Sequence, residues 1–127
     1  MNIQLANWEI VEMNYSLLNI KERRGENSFA LKFKKLFNSK NKYFFRIVFF
    51  LTVKDKKFDL NIEAVFNFKT DEEFTEEFKQ SHFPRINAPA IAYPYLRAYV
   101  SNLTLQSGVN PAMLPTLNFV KFQNPED

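Results

Sequence analysis

The chain has 127 residues, 46% of them apolar, enough for one domain around one hydrophobic core. It has no cysteine, which excludes disulfides, thiol catalysis and cysteine-bound zinc, and no run of about 18 uncharged apolar residues, which excludes a membrane-spanning helix. The net charge of +3 is uneven: residues 1–68 hold 12 Lys/Arg against 7 Asp/Glu, whereas residues 69–81 hold 2 against 5.

The opening MNIQLANWE has no basic region followed by an apolar stretch, so no secretion signal is expected and a cytoplasmic location is. The first predicted strand is WEIVEMNYSLLNIK (8–21), which alternates imperfectly but is rich in strand formers. RRGENS (23–28) supplies turn chemistry around Gly25. FALKF (29–33) alternates strictly, placing Phe29, Leu31 and Phe33 on one face. KKLF (34–37) breaks that phase, so a bulge or strand end is expected near Lys35. YFFRIVFFLTV (43–53) is apolar on both faces, as a central strand covered on both sides would be. FDLNIEAVFNF (58–68) sets Phe58, Leu60, Ile62, Phe66 and Phe68 against Asp59, Asn61, Glu63 and Asn67. The short connections make an antiparallel meander the simplest topology.

The period then changes. DEEFTEEFKQ (71–80) has Phe74 and Phe78 four residues apart, with Thr70 or Asp71 as the expected cap of an acidic helical turn over about 70–80. The main helix is predicted over about 89–107, capped by Asn87, begun by Pro89 and stopped by Gly108. Its buried side is expected to carry Ile91, Tyr95, Tyr99 and Leu103, with Leu96 and Val100 adjoining. Pro94 marks either a kink or the true start. Residues 108–127 read as a proline-broken crossover and tail with room for little more than one helical turn. The class is α+β: a four-stranded antiparallel sheet, one long helix and a short C-terminal helical turn, in a single domain over 1–127 with strands about 8–68.

Catalytic chemistry is not supported. The single histidine, His82, lies in a connector between an acidic segment and Phe83-Pro84, and no nucleophile–base arrangement forms without it. No metal-ligand spacing or phosphate-cradling glycine loop occurs, so no metal or cofactor is expected. Lysines beside sheet aromatics admit nucleic-acid binding, but they also protect strand edges, and that reading is the weakest of three. The second is an oligomeric adaptor with one specific folded partner. The first follows from phenylalanine in excess of what one core hides, which leaves apolar surface for oligomerisation or for sequence-tolerant binding of apolar peptide.

The stretch PAIAYPYLRAYVSNLTLQSGVNPAMLPTLNF (89–119) resembles the helix-and-crossover region of the SecB protein-export chaperone family. The matching features are Pro89, the motif Tyr93-Pro94-Tyr95 with Arg97, Ser101, Gly108 and the closing Leu117-Asn118-Phe119. The resemblance implies a homo-oligomer, a dimer or dimer of dimers, that holds unfolded polypeptides without ATP, for export or for a dedicated client such as an antitoxin. By analogy the client groove would be lined by Phe29, Leu31, Phe33, Val109, Met113, Leu114 and Leu117. Family members dock a translocation ATPase through sheet carboxylates, a role only Asp59 and Glu63 would fill here. Two departures stand out: the chain is basic, with a pI of about 9.1, and VKFQNPED (120–127), with Pro125 as a breaker, takes the place of a second helix and acidic tail.

Overall fold

Alternating apolar residues build one face of a sheet, and in this computed structural model, which describes residues 1–122, four strands share such a face. They are β1 (Ile3–Leu17), β2 (Ser28–Phe37), β3 (Phe44–Lys54) and β4 (Phe58–Thr70). All pairs are antiparallel and the order is β1-β4-β3-β2. The register sets Phe33, Phe49, Ala64 and Ile10 in one row across the sheet, and Phe37, Phe45, Phe68 and Leu5 in another. One slipped residue would turn every one of these side chains to the opposite face, so burial of this face specifies the register.

The rings in these rows touch. Trp8 stacks on Phe66 at 4.9 Å and Phe45 on Phe68 at 5.2 Å, while Phe49 meets Phe33 and Phe66 edge-on at 5.9 and 5.6 Å. Fully burying each such phenylalanine contributes roughly 1.5–3 kcal/mol. The aromatic excess is thus largely a stacked core layer.

The topology differs from a simple meander. β2, β3 and β4 follow one another, but β1 pairs with β4, so the β1–β2 connection crosses from one sheet edge to the other past the β3–β4 turn, where the Leu18 and Arg24 N–H groups reach the Lys57 and Lys56 carbonyls. A short 3-10 turn, Ile20–Glu22, starts that crossing. Arg24 fastens it: its guanidinium donates to the Asp55 and Phe58 carbonyls at 2.8 and 3.4 Å and meets the Asp59 carboxylate at 2.6 Å. The first strand also begins earlier than the alternation suggested, at Ile3, because Ile3 and Leu5 find partners in Thr70 and Phe68.

The irregularities sit elsewhere than expected. β2 pairs with β3 without interruption from Ser28 to Phe37, and the register shifts fall in β1, between Leu5 and Asn7 and between Ile10 and Glu12. Lys35 stays in phase opposite Ile47, half-buried at the sheet edge, a position a lysine tolerates because its stem is apolar and its charged end can extend to water. β3 is central in its pairing but covered on one side only. On its outer side Val48 is buried by neighbouring strands and Phe50 half-buried beneath Lys32 and Lys34, whose ammonium groups lie 5.6 and 5.4 Å from the ring.

After the sheet come α1 (Glu76–Lys79), a π-turn (Phe83–Asn87) and α2 (Ala88–Gln106). α1 is capped by Thr75, whose hydroxyl accepts the Phe78 N–H at 3.1 Å, rather than by Thr70 or Asp71. Thr70 is still in β4 and donates its hydroxyl to the Glu72 carbonyl. Asn87 does not cap α2, because the π-turn delivers it already in helical geometry. Pro94 lies inside α2 on its wet side, and the carbonyl it leaves without a donor belongs to exposed Ala90. The helix ends in a Schellman arrangement: Gly108 has φ +89°, its N–H reaches the Leu105 carbonyl, and the Val109 N–H reaches Thr104.

The buried face of α2 is rotated by about one residue, ~100°, from the expected one. Ala88, Ala92, Leu96, Val100 and Thr104 face the sheet, with Tyr93 beside them. Ile91 and Tyr95 are exposed, and Tyr99 and Leu103 are half-buried on the flank. Small Ala88 and Ala92 let the helix approach the crowded phenylalanine layer, which larger side chains there would hold off. Tyr95 and Tyr99 instead flank Trp8, at 6.3 and 6.1 Å. Past the helix, the chain returns across the sheet as an extended segment, with one hydrogen-bonded turn from Asn118 to Lys121. The end of the predicted tail, 123–127 with Pro125, lies outside the described residues.

Candidate functional site

The helix motif and the returning segment form one assembly. Three polar side chains on one flank of α2 clamp the crossover as it runs back antiparallel to the helix. The Thr104 hydroxyl accepts the Ala112 N–H at 2.8 Å, the Arg97 Nε donates to the Leu114 carbonyl at 3.0 Å, and the Tyr93 hydroxyl donates to the Pro115 carbonyl at 2.7 Å. A segment without a ladder of its own must satisfy its backbone groups this way. Thr104 escaped the sequence reading; its signal was its spacing from Tyr93 and Arg97, which puts all three on one helical side facing a proline-broken strand.

The ionisation of Tyr93 is clearly shifted. Burial pushes its phenol up to about 12 from the ordinary 10.0, opposed by the nearby Arg97 charge. The Arg97 guanidinium lies 6.0 Å from the ring centre. A raised folded-state value means that stability is fully present below pH 10 and is lost as the pH climbs through 12, because the unfolded chain ionises first. Tyr93→Phe should therefore cost about 1 kcal/mol at neutral pH through the lost hydrogen bond. Its deficit in melting temperature against the parent should then narrow between pH 10 and 12. A deficit that stays constant over that range would show that the phenol is not protected.

The residues expected to line a groove divide into two sets. Leu31, Phe33 and Leu114 are core residues. Phe33 in particular is covered by the returning segment, with Phe119 and Phe122 at 6.1 and 5.9 Å. They were expected on a groove wall; instead the crossover turns its own Leu114 inward and lays Phe119 and Phe122 on Phe33, which shields the aromatic layer next to edge strand β2. Phe29, Val109 and Leu117 are half-buried, and Met113 stands 78% exposed. Met113 rims a hollow of about 270 Å³ between α2 and the crossover, walled by Pro94, Ala98 and Ala112 with Arg97 and Ser101 at its side.

The remaining sequence candidates are not gathered there. Asp59 and Glu63 are on the outer face of β4, and Asp59 is engaged by Arg24. His82 is exposed just before the π-turn. Among the described residues no cluster of His, Asp or Glu is arranged to hold a metal ion, and no helix is long and apolar enough to cross a membrane.

No protein-family model matches the chain. An uncharacterized protein of Methanocaldococcus jannaschii is 36% identical over 59 residues, which is 46% of this chain and 37% of that protein's length. Among solved structures, the SecB-like chaperone Rv1957 of Mycobacterium tuberculosis, in complex with a ChAD peptide from the Rv1956 HigA1 antitoxin, superposes with a TM-score of 0.67 at 17% identity. The superposition covers 91% of this chain and 87% of that one. A Streptococcus agalactiae protein of unknown function aligns with a TM-score of 0.49 at 12% identity, over 91% of this chain and 98% of its own. The fold is the SecB-like α+β fold.

Proposed function

We propose that the chain is an ATP-independent holding chaperone that binds unfolded or partly folded polypeptide, and that it serves a dedicated client in the cytoplasm rather than general export. The observation that carries this reading is the superposition, over nearly the whole chain, on a SecB-like chaperone solved with an antitoxin peptide. The surface between α2 and the crossover supports it. Met113, Pro94, Ala98 and Leu114 line an apolar hollow, and Phe29, Val109 and Leu117 are half-buried apolar residues packed against the core. Methionine and non-directional burial suit a site that accepts varied sequences.

Two further features fit the reading. Among the described residues the outer edge of β1 has no strand beside it, and Val11, Met13 and Leu17 are exposed along it, so a second copy adding its own β1 would extend the sheet and help cover them. A dimer or dimer of dimers is the assembly we propose. Docking on a translocation ATPase is disfavoured, since Asp59 is engaged by Arg24 and only Glu63 remains of the two sheet carboxylates proposed for it.

The test is light-scattering mass across a sizing column, for the chain alone and then with a chemically unfolded, slow-folding protein. An oligomer that co-elutes with the client and delays its aggregation is the expected result. An oligomer that ignores several unfolded proteins removes the holdase reading and leaves the adaptor.

A further inference from the structure

A second hollow opens on the opposite side of the sheet, and the proposed polypeptide-binding surface makes no use of it. It is a cleft of about 530 Å³ at the end of the β2–β3 hairpin, lined by Leu36, Asn38, Asn41, Phe44, Arg46 and Asn67 among others. Leu36 and Phe44 are 46% and 42% exposed on the outer face, where a chain minimising its apolar surface would carry polar residues. Between these two apolar walls stands a single charge, Arg46.

That charge is held in place. Arg46 Nε donates to the Asn67 side-chain oxygen at 2.9 Å, and Asn67 in turn donates to Asn7 at 2.6 Å, a ladder across three strands. The ladder occupies Nε and leaves the two terminal nitrogens without a carboxylate partner among the described residues. The facing loop is preshaped as well. Asn38 and Asn41 accept the Lys40 and Tyr43 N–H groups, and the loop backbone is tied to Thr70 and Phe74. A guanidinium fixed before binding spends less entropy on capturing a planar carboxylate than a free one does.

The surrounding charge selects the ligand. No carboxylate lines the cleft, and Lys40 and Lys42 lie in the adjoining loop, with Lys69 paired to Phe44 in the register. On the same outer face, however, Glu9, Glu12 and Glu63 occupy β1 and β4, with Glu63 opposite Phe50. A polyanion laid along the sheet would meet these carboxylates, whereas a short acidic segment confined to the hairpin end would not. We infer that this cleft docks a partner protein through a segment that carries a carboxylate next to an aromatic or aliphatic side chain. Arg46 takes the carboxylate, and Leu36 and Phe44 take the apolar neighbour. The site is independent of the polypeptide-binding surface and stands whether or not the chain is a chaperone.

The test is a titration of the isotope-labelled full chain with the capped tripeptide acetyl-Asp-Phe-Glu-amide, followed by amide chemical shifts. Saturable shifts confined to residues 36–46 and 67 are expected. Binding should weaken by at least about fivefold for acetyl-Asn-Phe-Gln-amide and for the Arg46→Met variant. Arg46 is exposed, so the variant should keep the parent's melting temperature; if it does not, the comparison of the two peptides on the unaltered chain decides alone. Equal binding of the acidic and neutral peptides, shifts centred elsewhere, or no saturable shift would overturn the inference. So would a short oligodeoxythymidine that binds this cleft in preference to the acidic peptide.

Discussion

Leu96→Asp is expected to remove most of the chain's stability, whereas Tyr95→Asp, one residue away, leaves it folded. Leu96 is 0% exposed at the centre of the α2 face that meets the sheet, and among the described residues no buried cation stands in that apolar layer to receive a carboxylate. The substitution loses leucine burial and forces a charge either to remain unpaired in the core or to take up a proton. Together these cost on the order of 4 kcal/mol or more, a large part of the 5–15 kcal/mol typical of a whole domain. Tyr95 is 49% exposed, and its main loss is a tilted contact with Trp8, worth about 1 kcal/mol. Urea titration of the two variants measures the difference. Equal destabilisation would mean that Tyr95 is also buried, as it would be if α2 packs against a second copy, and the sizing experiment then separates packing within the chain from assembly.

Phe49→Ala should cost about 3–5 kcal/mol, because the cavity it leaves cannot collapse. Phe49 is fully buried on the central strand, and its ring lies within 5.6–6.4 Å of Phe66, Phe33, Tyr93 and Phe119. Those neighbours belong to two other strands, the helix and the returning segment, so no single element can shift to fill the void without breaking contacts elsewhere. The expected readout is a lower denaturation midpoint with an unchanged slope. Because Phe119 sits on both Phe33 and Phe49, the variant should also loosen the crossover, seen as faster amide exchange at Ala112, whose N–H is held by Thr104. A loss below about 1 kcal/mol would contradict the close packing described for this layer.

Some features of this protein are local, and the sequence by itself determined them. Strict alternation through Phe29, Leu31 and Phe33 and through Phe58 to Phe68 requires strands with one apolar face, because successive side chains point to opposite sides of a strand. Gly108 ends the helix because its left-handed φ is open to glycine at no steric cost. The stretch from Pro89 to Phe119 resembles the helix-and-crossover region of the SecB family, and that resemblance implied the fold.

Other features were decided only by contacts between residues far apart in the chain. Strand order is one: short loops favour a meander, yet pairing β1 with β4 stacks Trp8 on Phe66 and gives Ile3 and Leu5 a partner strand, and no local pattern encodes that choice. The rotation of α2 is another. Tyr95 and Leu96 both lie on plausible apolar stripes, and the face turned inward is the one whose alanines fit against an already crowded aromatic layer. The candidate sites belong to this second class as well. Leu31, Phe33 and Leu114, which the family resemblance placed on a groove wall, are buried, with the returning segment lying over Phe33, and Met113 is left exposed. The outer cleft brings Leu36, Arg46 and Asn67 from three strands to one place, a meeting that exists only once the sheet has closed its register. Periodicity reports which side of an element is apolar; only packing decides what that side meets, because burial is non-directional and several arrangements satisfy the same pattern until side-chain volumes choose among them.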